Sequence, residues 1–301
     1  MKRDRLFSAG KAVDPTYVNL RDLKNEWTEP AREFAESLWD HFRRFADPHF
    51  LTEVRSHFHE RFWEMYLTCA LQKFANQQGS ILSCPKPGPD ILLERDGNRV
   101  WVEAVVATKG ALGRPDSVAE PNLDGSGKVH EEKLVLRYAN AISVKYCKYQ
   151  RYLKDGIIRK DDAFVIAIND AALSSKRTQA ENDAPRFLKA VYPLGAYQLL
   201  LDRGTGKIIG RQNEPRFNIV KASGKNVMTM PFFERRSRGI SAIMGSSADV
   251  MCHNQALGFD FELAHNPKSR APIADFVIPA KKAWRAVLNE TGGDLTGYIL
   301  A

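Results

Sequence analysis

The dipeptide Asp96-Gly97, set between two apolar runs, constrains this chain more than any other feature. Asp-Gly between alternating apolar residues is among the strongest short-range hairpin signals. Residues 90–95 and 98–107 therefore read as paired strands. With a two-residue loop, Arg95 faces Asn98 and Asp90 falls opposite Glu103. Directly opposed residues share a face, with Cβ atoms roughly 5 Å apart. Two carboxylates that close repel each other without a cation between them. Hard oxygen ligands at this spacing suit Mg²⁺ or Mn²⁺. Val100, Val102, Ala104 and Val106 make an apolar row on one face of the second strand. Glu103 lies on the other face, between Trp101 and Val105. A carboxylate in such a setting needs a partner.

Around the hairpin the pattern is mixed α/β. A helix is expected from Thr28 as N-cap, with Pro30 in its first turn and Phe34, Leu38, Trp39, Phe42 and Phe45 at helical spacing. A longer helix is expected over residues 51–78, stopped by Gly79. Ser80–Cys84 is a short apolar run. The Gly-, Pro-, Asp- and Ser-rich stretch 108–130 reads as a long loop of the functional or mobile kind. A basic helix over residues 131–154 follows, then a strand over 164–169. A hairpin is expected around Arg203-Gly204-Thr205-Gly206, with strands over 240–244 and 259–263 and a last helix over 279–289. The organisation expected is an N-terminal helical extension over residues 1–48 and one α/β domain over 49–301.

A chain of 301 residues with 44% hydrophobic content can bury a sizeable core. The net charge of +8 and pI of about 9.3 favour polyanionic partners, nucleic acid first. Cys69, Cys84, Cys147 and Cys252 form no CxxC pair, which speaks against a zinc knuckle or a disulfide framework and for a reduced, cytoplasmic setting. The charged start is not followed by the apolar run of a signal peptide. No stretch approaches the roughly 20 apolar residues of a membrane span.

The residues on and before the hairpin resemble the PD-(D/E)xK, or restriction-endonuclease-like, nuclease superfamily. Gly88-Pro89-Asp90 matches its Pro-Asp element. Val102-Glu103-Ala104-Val105 matches its (Asp/Glu)-x-Lys element in part. Arg61-Phe62-Trp63-Glu64-Met65-Tyr66-Leu67 is similar to its Glu-bearing helix. The resemblance covers about residues 50–170 and implies a mixed central sheet flanked by helices. It further implies a Mg²⁺- or Mn²⁺-dependent endonuclease hydrolysing DNA, in restriction or phage defence. Asp90, Glu103 and the Ala104 carbonyl would hold metal, with Glu64 binding through water or at a second position. Glu60 shares a face with Glu64 and reads as a surface or accessory charge. Position 105, where the family lysine belongs, is Val. Lys145 on the basic helix is the best replacement, with Lys148 one turn away the runner-up and Lys109 third. Arg137, Lys148, Tyr149, Gln150, Arg235 and Arg236 are candidate nucleic-acid contacts. Cleavage of two strands often uses a dimer, so a homodimer stays open.

Other motifs carry less. Gly125–Lys128 and Gly204–Lys207 lack the spacing and the following Ser or Thr of a phosphate loop. His57 and His59 read as surface or capping residues, and His130-Glu131-Glu132 as a charged helix start. The missing lysine at position 105 keeps a second reading alive: a catalytically inactive nucleic-acid-binding module or subunit on the same fold.

Overall fold

The computed structural model describes residues 5–111, 113–119, 130–173, 183–274, 277–289 and 292–299. An eight-stranded mixed sheet divides two helical layers. Its strands are β1 (Ile81–Ser83), β2 (Ile91–Arg95), β3 (Asn98–Val106), β4 (Ala163–Asn169), β9 (Ala242–Ser246), β10 (Glu262–His265), β11 (Lys282–Asn289) and β12 (Gly292–Ile299), adjacent in that order. β1, β2 and β3 are antiparallel neighbours, and β3, β4 and β9 run parallel. Two further pairs stand outside this sheet: β5 (Leu194–Leu201) with β6 (Ile208–Pro215), and β7 (Asn218–Val220) with β8 (Asn226–Met228).

The hairpin register follows the turn chemistry. Arg95 pairs with Asn98 and Ile91 with Val102. Asp96 and Gly97 both have positive φ, 50° and 77°, which an Asp-Gly turn accommodates at least cost. Alternation along the strands then sorts side chains to two cores. Val100 and Val102 join Ile91, Leu93, Val165 and Met244 beneath one helical layer. Trp101 joins Leu92, Phe164, Ile166 and Ile243 beneath the other.

The first layer holds α1 (Pro15–Arg21), α2 (Thr28–Phe42), α3 (Phe50–Glu53) and α4 (Phe58–Gln78). Tyr17, Leu38, Phe50, Phe62 and Trp63 all enter the core beneath it, so residues before 49 share that core with the sheet. The second layer is α5 (Glu131–Lys154) with the single turn α6 (Arg186–Lys189). Among the described residues, no helix is long and apolar enough to cross a membrane.

Three expectations need correction. Thr28 is the first residue of α2 and not its cap; the cap position is Trp27, and the Thr28 hydroxyl donates to the Asn25 carbonyl at 2.6 Å. The helix expected over 51–78 is interrupted, because Asp14 supplies a new N-terminus from elsewhere in the chain. Its Oδ2 accepts the Phe58 N–H at 3.1 Å. The expected last helix is strand β11, parallel to β10 and antiparallel to β12. Ala280, Ala283, Trp284, Val287 and Leu288 keep helical spacing, and pairing with β10 on one side and β12 on the other overrides it. Gly79, by contrast, ends α4 with φ 68°, as its position implied.

Asp14 serves two helices, since its Oδ1 also accepts the N–H groups of Thr16 and Tyr17 at the start of α1. Asp14→Ala strips both helix ends of a side-chain acceptor. The expected loss is about 2 kcal/mol, read from urea unfolding midpoints.

Candidate active site

The site begins with a buried charge. Glu103 sits on β3, 1% exposed, on the face turned toward α5. Burying an ionised carboxylate without compensation is prohibitive, so its partners matter more than its position. Lys145 Nζ lies 2.7 Å from Oε1 and Lys148 Nζ lies 3.1 Å from the same oxygen. The Tyr152 hydroxyl is 3.5 Å from Oε2. Positions 145, 148 and 152 fall at i, i+3 and i+7 of α5, which puts all three on one helix face. Position 105 is Val, and the ammonium groups that reach Glu103 come from the helix packed above it. Both of the leading lysine candidates reach Glu103, so Lys148 belongs to this centre as well as Lys145.

Asp90 precedes β2 by one residue, so the ladder ends at Ile91 and Val102 before reaching it. Its Oδ2 accepts the Ala104 N–H at 2.7 Å, and Lys86 Nζ is 3.6 Å from its Oδ1. Ala104 thus meets Asp90 through its N–H. Asp90 also acts electrostatically on Lys148, Tyr152 and Glu64. Glu64 comes from α4, beneath the opposite sheet face from Glu103. Arg61 holds it at 2.6 Å and also pairs with Glu53 and Asp47. Glu60 is exposed.

Protonation follows from these surroundings. Burial, then repulsion by Asp90, raises the Glu64 carboxyl above its usual value of 4.5. Burial works against charge on Lys148, but Glu103 outweighs it and holds the ammonium above its ordinary value. Burial and then Glu103 push the Tyr152 phenol up to about 12, so it is a neutral hydrogen-bond donor. The Cys84 thiol near Glu64 and Asp90 is likewise pushed up to about 12 by burial.

The three carboxylates do not form a ready-made ligand cage. Among the described residues, no group of three or more His, Cys, Asp or Glu side chains is arranged to hold a metal. Each of the two hairpin carboxylates is instead met by ammonium groups, Glu103 by Lys145 and Lys148 and Asp90 by Lys86. Two carboxylates completed by water are a donor set that fits Mg²⁺ or Mn²⁺.

The candidate nucleic-acid contacts separate. Gln150 is exposed on α5, and Arg235 and Arg236 are exposed on a 3₁₀ turn, where Arg236 pairs with Glu234. Arg137 instead fastens the loop after β3: its Nε donates to the Thr108 carbonyl at 2.5 Å. Tyr149 is fully buried, its ring tilted 38° against Phe164 at 4.8 Å, with its hydroxyl accepting from Arg270. His59 is no surface residue. Its Nε2 meets the Asn169 Oδ1 at 2.9 Å, and burial lowers its pKa. Asn169 Oδ1 also accepts the Ala171 N–H, while Nδ2 donates to the Ala248 carbonyl. Tyr152, Lys86 and Arg61 were missed from sequence, although Tyr152 lies two turns from Lys145 and Lys86 four residues before Asp90. Of the rejected phosphate loops, Gly125–Lys128 lies outside the described residues, and Gly204–Lys207 belongs to the connection between β5 and β6. No protein-family model, curated protein or solved structure matches the chain.

Two outcomes follow from the buried charge. Lys145→Ala leaves Glu103 short of a partner and is expected to cost about 3 kcal/mol. Lys145→Ala with Glu103→Ala should cost less than the two single changes added together, measured as a double-mutant cycle in urea. For Glu64, the raised pKa means the folded chain binds more protons between the unfolded and folded values. Stability therefore falls as pH rises through that interval, and Glu64→Gln should flatten this slope in an unfolding series taken upward from the ordinary carboxylate value of 4.5.

Proposed function

We propose that this chain is a divalent-metal-dependent nuclease that hydrolyses DNA phosphodiesters, on a restriction-endonuclease-like arrangement of its mixed sheet. The observation that carries this reading is the buried Glu103 joined to Lys145 and Lys148 beside Asp90. Carboxylates able to hold a metal, with a lysine at hand, are a set of groups suited to phosphodiester hydrolysis. Asp90 and Glu103 would hold Mg²⁺ or Mn²⁺, with Glu64 contributing through water. The bound ion would supply a water of lowered pKa and neutralise charge on the phosphate.

The chain's own residues do the rest. Glu103 orients the two ammonium groups. Lys145, only 12% exposed, presents a fixed positive charge to the developing charge on phosphorus oxygens. Lys148, 39% exposed, can meet a phosphate of the incoming strand. Tyr152 keeps its proton and donates a hydrogen bond. The net charge of +8 favours a polyanionic substrate.

A second reading is a nucleic-acid-binding module without catalysis. The observation favouring it is that Glu103 is already paired with two lysines and no three-ligand set is formed.

Cleavage assays on plasmid, linear and single-stranded DNA with Mg²⁺ and Mn²⁺ separate the two. Asp90→Ala and Glu103→Ala should each lower the rate at least about 100-fold, and Lys145→Ala comparably. Cleavage that survives both carboxylate changes overturns the site. Binding without cleavage in any metal supports the second reading.

A further inference from the structure

The two small sheets outside the main one concentrate two properties. Of the sixteen large apolar side chains exposed among the described residues, eight lie between 194 and 228, including Leu199 at 50%, Leu201 at 56% and Ile209 at 69%. The same span carries six basic residues, Arg203, Lys207, Arg211, Arg216, Lys221 and Lys225, against two acidic ones, Asp202 and Glu214. It therefore holds four of the chain's net eight positive charges in 35 residues. Asp202 is turned inward on its own loop, accepting from the Thr205 N–H at 2.8 Å and hydroxyl at 2.7 Å.

A two-stranded ribbon with exposed leucines and isoleucines is marginal by itself. This one is firmly rooted at its base. Asn213 Nδ2 donates to Asp183 Oδ1 at 3.0 Å and to the Gly195 carbonyl at 3.2 Å. Asp183 and Glu131 both hold the fully buried Lys189, each at 2.6 Å. Asp116 accepts the Ala222 N–H at 3.0 Å and ties the second pair to the loop after β3. The root is thus joined to the first turn of α5. Along α5, Glu131 and Lys145 are fourteen residues apart, roughly 21 Å of helix.

We propose that residues 194–228 form an arm that grips double-stranded nucleic acid. This rests on the nuclease reading above and deepens it by naming a duplex as the substrate. Four considerations select that occupant. The major groove admits a two-stranded β-ribbon. Basic residues at the tip and flanks meet phosphates, while Leu and Ile contact base edges or wedge between base steps. A second copy of the same arm would bring like charges together across a two-fold contact, which argues against self-association. The root lies about six base-pair steps along α5 from Lys145, so one duplex can reach both.

The test uses the full chain in Ca²⁺, with fluorescence anisotropy on a duplex of about 30 base pairs. A Leu199→Ser/Leu201→Ser/Ile209→Ser variant should bind the duplex about tenfold more weakly, and the matching single strand within about threefold of wild type. A Lys207→Glu/Lys221→Glu variant, with native circular dichroism, should lower the salt dependence of duplex binding. Unchanged duplex affinity in both variants overturns the arm and leaves the nuclease site standing. So does tight wild-type binding to phosphatidylserine vesicles that the serine variant loses while its duplex binding is unchanged. A wild-type dimer by light scattering that the serine variant converts to monomer, at unchanged duplex affinity, also overturns it. Absence of any nucleic-acid binding by the wild-type chain brings down both the arm and the reading beneath it.

Discussion

The charge on Glu103 organises this molecule. Its carboxylate is removed from water inside a layer otherwise made of Trp101, Phe164 and Ile166. That burial is tolerable because α5 lies over it with two lysines and a tyrosine on the facing side. The requirement fixes how α5 is rotated about its axis. A turn of about 100° would leave Glu103 facing apolar side chains and send both ammonium groups elsewhere. The second core, the placement of α5 and the position of the acidic hairpin are consequences of one arrangement.

The two helical layers answer different needs. Beneath α1 to α4, the sheet meets an aromatic mass of Tyr17, Phe50, Phe58, Phe62 and Trp63, and stability there comes from apolar burial. Beneath α5, the apolar core is interrupted by ionic groups: Glu103 with its lysines toward one end, Lys189 with Glu131 and Asp183 toward the other. Glu64 belongs to the aromatic layer and Glu103 to the ionic one, and Asp90, just outside the ladder, influences both. This is why the acidic residues are not gathered as a simple reading of the hairpin register suggested.

The parts legible in the sequence were those governed by local rules. Asp96-Gly97 set the hairpin register through its backbone preferences, and the Val100, Val102, Ala104 row marked which face Glu103 avoids. α5 matched its expected range because its periodicity is uninterrupted. What escaped was decided by distant partners. The break before Phe58 comes from Asp14, forty-four residues earlier. β11 is a strand because β10 offers it an edge. His59 lacked any local cue to Asn169, 110 residues on. The roles of Lys148 and Tyr152 depended on the rotation of α5, which periodicity alone does not give.

Asn169 at the end of β4 has a mechanical meaning. One amide joins α4 through His59, the turn after β4 through Ala171, and the segment after β9 through Ala248. Its oxygen accepts from Ala171 and meets the His59 ring, and its nitrogen donates to Ala248, so rotating the amide by half a turn would break the links to Ala171 and Ala248 and reverse the one to His59. These three segments are bolted at a common point. Any strain applied to one of them, including a load transmitted along α4, is shared by the other two before the sheet beneath can shear.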